Sequence, residues 1–414
     1  MATKYQDFRL MKTNEKDTKQ GVVPALRFPE FKTLAPWQTD TVDNLVSTIT
    51  PPCKLNTSEY QKTGEYPIVD QSQDLYCGWT NNQSAVIFQH FPLIIFGDHT
   101  CVIKLINRPF AQGADGIKIL KSRGLVDPHF LYQCLENKPI TQESYKRHFA
   151  LLRSKIIAYP PKKTREQQKI ADCLSSIDAL IKAAENKIDE LKAHKKGLMQ
   201  QLFPAEGKTV PALRFPEFQN AGEWTKISFG ELTYKVSKKN KTGKRYPIYS
   251  INNKQGFIRQ EEQFTGVDSN DRGYDLFLYN IVGSKTFAYN PARINVGSIG
   301  YSGDLKDVII SSLYVCFKTS ETVNDEFLLK YFETESFKKA VLNSVEGGIR
   351  SYLFYDNFAK INLYLPPNYD TAEQQKIADC LSSVDNLIMA QTNRLEALRN
   401  HKKGLMQQLF PNIE

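Results

Sequence analysis

The sequence predicts an α+β protein: two globular mixed α/β domains separated by two long antiparallel coiled-coil helices in a pseudo-twofold arrangement. Three observations predict it. Residues 166–204, EQQKIADCLSSIDALIKAAENKIDELKAHKKGLMQQLFP, recur without a gap as residues 373–411 at an offset of 207, with 28 of 39 positions identical. Both copies carry a heptad pattern of apolar residues. The segments before them differ from each other and read as short β-branched runs broken by Gly, Asn, Asp and Pro.

Taken in order, residues 1–20 mix Lys4, Asp7, Arg9, Lys12, Glu15, Lys16 and Asp17 with no apolar stretch, so they read as a flexible tail and neither a secretory signal nor a transit peptide. The first globular domain is expected over 21–163, the first helix over 164–204, the second domain over 205–370 and the second helix over 371–414. The chain of 414 residues is 41% hydrophobic and 24% charged, and no apolar run approaches the roughly 18 residues that span a bilayer, which excludes a membrane protein. Seven cysteines, none spaced C-x-x-C, argue against a disulfide framework and a zinc knuckle and fit a reducing cytoplasm.

The two globular segments share landmarks. VPALRFPEF at 23–31 recurs at 210–218, an offset of 187 that also carries Trp37 onto Trp224 and Leu45 onto Leu232. Tyr66-Pro67-Ile68 resembles Tyr246-Pro247-Ile248, and Asp127-Pro128 before Phe130-Leu131 resembles Asn324-Asp325 before Phe327-Leu328. Strands are expected at 84–88, 93–96, 101–105 and 307–310, with one or two helices on the C-terminal side of each domain. The domains therefore read as one fold carrying different surfaces, and the period of about 200 residues is far longer than a solenoid repeat.

The helices show a seam in steps of four and three. In the first it reads Ile170, Leu174, Ile177, Ile181, Ala184, Ile188 and Leu191, is interrupted by Lys195, and resumes with Leu198 and Leu202. The second reads Ile377, Leu381, Val384, Ile388, Gln391, Leu395 and Leu398, then Lys402, Leu405 and Leu409. About 38 helical residues span roughly 57 Å at 1.5 Å each, the length of a spacer. Pro204 and Pro411 end the helices, and a chain that returns through a compact domain favours an antiparallel pair. A plain dimerisation coil would need only its seam kept alike. Here Gln167, Gln168, Asp172, His194 and Lys196 also recur off the seam, as Gln374, Gln375, Asp379, His401 and Lys403, the pattern expected if two copies of one partner dock, one per helix, although recent duplication leaves the same trace.

Charge adds a direction. The net charge is +9, and residues 226–260 hold nine Lys/Arg against the single acid Glu231. Lys238, Lys239, Lys241, Lys244 and Arg245 crowd one loop, followed by Asn252, Asn253, Lys254 and Arg259, and then Lys285, Tyr289, Asn290 and Arg293. Lysines neutralise phosphates, and Asn and Arg reach adenine and guanine edges bidentately, so these are candidate DNA contacts; the bland alternative is a solvated charged loop. In the first domain residues 38–90 carry two Lys and six acids, so candidates come from Asn81, Asn82 and Gln83 and from the later Lys118, Lys121, Arg123, Lys146 and Arg147.

Enzymatic readings find no support. The chain has no G-x-x-x-x-G-K-[ST] loop, no Asn/Asp-Pro-Pro-aromatic motif of an amino-methyltransferase, and no acid pair of the metal-nuclease type. His99, in FGDHT, has no evident nucleophile beside it.

Two divergent domains alternating with near-identical EQQKIADCLSS…HKKGLMQQLFP helices, with YNPARINVGSIG and FGDHT stretches, resemble the specificity subunit of type I restriction-modification enzymes. The resemblance runs from about residue 21 to the end. It implies that each domain is a target recognition domain reading one half of a bipartite, asymmetric DNA site while the helices set the unread gap. It further implies that this chain binds no metal or cofactor of its own. Two modification subunits would methylate adenine with S-adenosylmethionine, and restriction (motor-nuclease) subunits would use ATP and Mg. The rival readings are a coiled-coil adaptor whose variable domains bind proteins, and a self-sufficient nuclease or methyltransferase.

Overall fold

The computed structural model describes residues 21–114, 116–142, 147–253, 255–264, 266, 271, 273–345 and 352–413. The tail at 1–20, Lys146 and Lys254 lie outside the described residues. The chain divides into two compact units, Met1–Glu185 with Asn393–Glu414, and Asn186–Thr392.

In unit 1 the strands are β1 (Gln38–Thr41), β2 (Val46–Ile49), β3 (Tyr66–Val69), β4 (Gly78–Thr80), β5 (Val86–Ile87), β6 (Leu93–Gly97), β7 (Ile103–Ile106), β8 (Phe110–Gln112), β9 (Ile117–Ser122) and β10 (Ile156–Tyr159). They form an antiparallel β1-β10 pair, a four-stranded sheet ordered β2-β9-β6-β7, and another ordered β4-β3-β8-β5 in which β3 and β8 run parallel. β6 is buried along its whole length because the alternation of its side chains serves two cores. Leu93 and Ile95 join Val69, Ile87 and Phe110, whereas Ile94 and Phe96 join Trp37, Phe130 and Leu131.

Unit 2 repeats this topology with β11 (Thr225–Ser228), β12 (Thr233–Val236), β13 (Ile248–Asn252), β14 (Gly256–Arg259), β15 (Asn280–Val282), β16 (Phe287–Tyr289), β17 (Ile299–Tyr301), β18 (Val308–Ile310), β19 (Val315–Thr319) and β20 (Asn362–Leu365). Its sheets are β11-β20, β12-β19-β16-β17 and β14-β13-β18-β15, each strand taking the place of the one ten earlier. Even the landmark residues coincide. Ile68 pairs in parallel with Ala111, and Ile248 in parallel with Ile309.

The first long helix is Glu166–Leu202 and the second Thr371–Leu409. Within unit 1 their segments are antiparallel: Asp178 meets Lys402 at 2.7 Å, and Glu185, further along, meets the earlier Arg399 at 2.7 Å. Within unit 2, Lys195 meets Asp385 at 2.7 Å while the later Leu202 and Phe203 share a core with the earlier Ile377, Ala378 and Leu381, which is antiparallel again. Of the seam residues, Ile170, Leu174, Ile177, Ile188, Ile377, Leu381, Val384 and Leu395 are buried, and Ile181, Leu191, Ile388 and Leu398 are partly buried. The ends of the helices are more than coil. Ile170, Leu174, Met406 and Leu409 complete the core around Trp37 and Phe130.

The lysine that interrupts each seam has a structural reason. Lys195 donates to Asp385 on the facing helix and to Glu333 of its own unit's globular domain, and Lys330 donates to the same Asp385 at 2.6 Å. Lys402 repeats this with Asp178 and with Glu136 at 2.9 Å. Burial opposes each ammonium, but its hydrogen bonds to two carboxylates and their negative charge outweigh it and hold both lysines above the usual lysine range.

A second joint ties the two repeated motifs together. Arg27, of the first VPALRFPEF, makes a two-pronged ion pair with Glu166, which opens the first helix, through Nε to Oε1 and a terminal nitrogen to Oε2, both 2.7 Å. Arg214 and Glu373 repeat it at 2.7 Å in both contacts. Around it, Lys169 reaches Glu30 and lies over the Phe28 ring, and Lys376 does the same with Glu217 and Phe215. The backbone of Leu26 also donates to Gln408, and that of Leu213 to Gln201, so each RFPEF segment clamps the start of one helix and the end of the other inside its own unit.

Candidate nucleic-acid interface

The basic loop of unit 2 owes its shape to one buried amide. Asn240 is fully buried; its backbone N–H donates to the carbonyl of Tyr279, its side-chain amide to the carbonyl of Lys244 at 2.9 Å, and its carbonyl accepts from Gly243, whose φ of 64° a side chain would strain. Anchored there, the loop runs beside β15: Ile281 donates to the carbonyl of Lys238, and Lys239 bridges to Asn280. Lys238, Lys241, Lys244 and Arg245 are left exposed, with the Lys244 ammonium 4.8 Å from the Tyr246 ring centre. Lys239 is half-turned inward and donates to the carbonyl of Leu278 at 3.0 Å.

Asn252 and Asn253 form the tip of the β13–β14 hairpin. The β16–β17 loop lies beside it: Ser298 Oγ donates to the carbonyl of Ile251 at 3.2 Å, and Gly297 faces Asn253 closely enough that a Cβ would stand 3.7 Å from its carbonyl oxygen. Arg293 is exposed on that loop, while Asn290 uses its side-chain oxygen to accept from the backbone of Ala292 at 3.0 Å. The fold thus sets the loop that carries Arg293 beside the hairpin tip at Asn252 and Asn253. Arg259 ends β14 and leans on the Tyr249 hydroxyl at 3.4 Å; Lys285 is exposed in the turn before β16.

Tyr289 is a correction to the expected DNA contacts. It is fully buried, its ring 5.4 Å from that of Phe358 and 6.3 Å from that of Phe317. β16 is covered on both sides, with Phe287 and Tyr289 facing the large aromatic core and Ala288 facing a smaller one, so its polar-looking sequence context is misleading. Burial pushes its phenol well above the usual range, and among the described residues its hydroxyl finds no hydrogen-bond partner. Tyr289→Phe is therefore expected to raise stability by about 1 kcal/mol. A chemical-denaturation midpoint that falls instead would show that the hydroxyl has a partner.

In unit 1 the candidates disperse. Asn81 and Asn82 are exposed, but their acceptors build the local turn: Asn81 Oδ1 takes the N–H of Glu65 at 2.9 Å, and Asn82 Oδ1 takes the N–H and hydroxyl of Ser84 at 3.2 and 2.6 Å. Gln83 is exposed beside them. On the other sheet, the Lys121 ammonium sits 2.9 Å from His90 Nδ1, and Arg123 donates to the carbonyl of Val46 at 2.7 Å. Lys118 and Arg147 come together in a polar cleft with Lys54, Gln71 and His99, which the charge count did not single out.

The expected partner face divides into two groups. Gln167 and Gln374 are buried, and their recurrence has an intramolecular cause that corrects the docking assignment. Gln167 accepts from the N–H of Asp127 at 2.6 Å and donates to the carbonyls of Leu125 and Pro160; Gln374 accepts from Asn324 at 2.8 Å and donates to those of Thr322 and Tyr369. Asp127 and Asn324 are the N-caps of the corresponding domain helices, so each glutamine fixes a cap. Gln168, Asp172, His194, Lys196, Gln375, Asp379, His401 and Lys403 are exposed, with Gln168 to Asp172 and Gln375 to Asp379 each bridged at 2.7 Å one turn apart. Among the described residues no group of three His, Cys, Asp or Glu side chains is placed to hold a metal ion, and no helix is long and apolar enough to cross a membrane.

Residues 36–193 and 222–400 match the family described as the type I restriction modification DNA specificity domain. The chain is 25% identical over 289 residues to the putative type I restriction enzyme MjaX specificity subunit of Methanocaldococcus jannaschii, covering 68% of this chain and 64% of that protein. It is 26% identical over 318 residues to the MjaVIII specificity subunit of the same organism, covering 71% and 72%. Its fold is similar to that of the S subunit of the type I restriction-modification system of M. genitalium, with a TM-score of 0.63 and 15% identity over 95% of this chain and all of that one.

Proposed function

Because this chain belongs to the type I restriction modification DNA specificity family, with both of its globular domains matched, we propose that each domain reads one half of a bipartite, asymmetric DNA site. The two long helices set the unread gap between the halves, and their exposed faces, around Gln168, Asp172, His194 and Lys196 and around Gln375, Asp379, His401 and Lys403, dock two adenine-methyltransferase subunits. The chain is a non-catalytic component acting in the cytoplasm. S-adenosylmethionine, ATP and Mg belong to the modification and restriction subunits that assemble on it.

The observation that carries the reading is the contrast between joints and loops. The Arg27–Glu166 and Arg214–Glu373 clamps, the Gln167 and Gln374 braces and the seam lysines are the same in both units, whereas the charge of the variable stretches differs: residues 226–260 hold nine Lys/Arg and one acid, and residues 38–90 two Lys and six acids. Identical mounts with unlike faces suit two readers of unlike half-sites. Each base pair read is worth about 1–3 kcal/mol of discrimination, and readers on one support sum theirs.

The test has two parts. Mapping methylated adenines in cells carrying this chain with its methyltransferase should give one split motif, and swapping the 205–370 segment for that of a related chain should replace one half of the motif and leave the other. Affinity of the assembled complex for duplex DNA should fall steeply as salt rises. A motif that stays whole after the swap, or affinity indifferent to salt, would favour the protein-binding adaptor.

A further inference from the structure

We propose that the polar cleft of unit 1 is a phosphodiester-binding notch that seats the backbone of duplex DNA against the first recognition domain; this rests on the reading of the chain as a DNA-specificity protein. The cleft, of about 430 Å³, is built by five separate stretches of chain. Lys54 comes from the β2–β3 connection, Gln71 from just after β3, Asp98 and His99 from the end of β6, Lys118 from β9, and Arg147 from the segment before the short helix Phe149–Ser154. Gly116 forms its floor with a φ of 104°, passing Gln71 so closely that a Cβ would stand 2.6 Å from the amide nitrogen. Residues this far apart in sequence converge only because the two sheets meet here.

Among the described residues, Lys54, Lys118 and Arg147 line the cleft together with one carboxylate, Asp98. That carboxylate is buried and already engaged: its Oδ1 accepts the backbone N–H groups of His148 at 3.0 Å and Phe149 at 2.8 Å, where it caps the short helix. Among the described residues no ion pair is made by Lys118 or Arg147, and Lys118 rests 5.5 Å from the Phe149 ring centre, which directs it along the cleft wall. Lys54 and Arg147 stand exposed at the rim. Residues 38–90 carry six acids and two lysines, whereas Lys118 and Arg147 bring basic side chains to the cleft from later in the chain. A polyanion approaching unit 1 is repelled by that stretch and drawn here. Lys118 on β9 with Lys54 and Arg147 on connecting segments, beside a Gln71 whose amide oxygen is buried, suit phosphate positioning rather than sequence choice.

The experiment compares the full chain, in complex with its methyltransferase subunits, with Lys118→Ala/Arg147→Ala and with the control Lys182→Ala/Lys187→Ala, which removes equal charge from the exposed helix face. The probes are a 40-base-pair duplex carrying the methylated motif and one of scrambled sequence, titrated from 50 to 200 mM salt. Loss of two phosphate contacts is expected to lower the slope of log affinity against log salt by about 1.8, to weaken both duplexes about equally, and to leave the methylated motif unchanged. Lys118→Arg/Arg147→Lys should restore the slope. Inorganic phosphate added at constant ionic strength should not compete; competition at millimolar phosphate would make this a free-anion site and overturn the proposal. So would a folded double-alanine variant with the wild-type slope, a control variant that loses as much as the cleft variant, or an altered motif. If the wild-type complex shows no salt-dependent duplex binding, the DNA-specificity reading itself fails; if it binds and the cleft variant matches it, only the notch fails.

Discussion

Replacing Arg27 with alanine is expected to lower the stability of unit 1 by about 3–5 kcal/mol, and Arg214→Ala to do the same to unit 2, because each leaves a buried carboxylate without its cation. The arginine and glutamate side chains are 5% and 1% exposed in the first pair and 6% and 1% in the second, so water cannot take over the lost contacts. Arg27 also donates to the carbonyls of Leu34 and Ala35, and Arg214 to that of Gly222, which the substitutions orphan as well. The two joints differ in one bond: Trp37 Nε1 donates to Glu166 at 3.2 Å, whereas among the described residues the indole N–H of Trp224 finds no partner. Glu166 therefore keeps one donor when Arg27 is removed and Glu373 keeps none from the indole, so Arg214→Ala should be the more damaging of the two. Urea titrations of the full chain measure both losses. The double replacement Arg27→Met/Glu166→Leu should recover most of the first, since an apolar pair of similar volume removes both buried charges together. A loss under about 1 kcal/mol for either arginine would mean that the joint opens to solvent.

Inserting four residues into each long helix, after Glu185 and after Thr392, is expected to widen the unread gap of the methylated motif by one or two base pairs while leaving both half-sites intact. The insertion points lie at the boundary of the two units, so no clamp, brace or seam lysine is interrupted. Four residues add about 6 Å of helix and a little over one turn, which nearly preserves the facing of the seam, and duplex DNA rises about 34 Å per turn of roughly ten base pairs. Methylation mapping with the lengthened chain reads the gap directly. An unchanged gap would mean that the helices do not set the spacing; loss of all methylation with the protein still folded would mean that the two readers no longer engage one duplex.

Much of this was legible without coordinates. The duplication, the heptad steps and the proline stops are local patterns, and β-strand and helix periodicities express themselves within a few residues, so β6, β18 and the helices opened by Asp127 and Asn324 stood out in the sequence. The exposed cations at 238–245 followed from composition alone. The interpretation of repeated residues did not. Gln167 and Gln374 recur because each braces a helix cap some 40 to 50 positions away, and Lys195 and Lys402 interrupt their seams because a carboxylate from another element waits at each. Tyr289 sat among apparent surface residues, yet its strand is covered on both faces.

The sequence by itself determined what is local or repeated: the α+β class, two unlike domains, two alike helices, and an excess of positive charge in the second domain. Only the tertiary structure decided which repeated residues clamp the fold and which stay free on its surface, and that Lys54, Lys118 and Arg147 share one cleft. The reason is that a polar side chain's role depends on what approaches it once the sheets close, and partners separated by 40 to 266 residues leave no periodic signature along the chain.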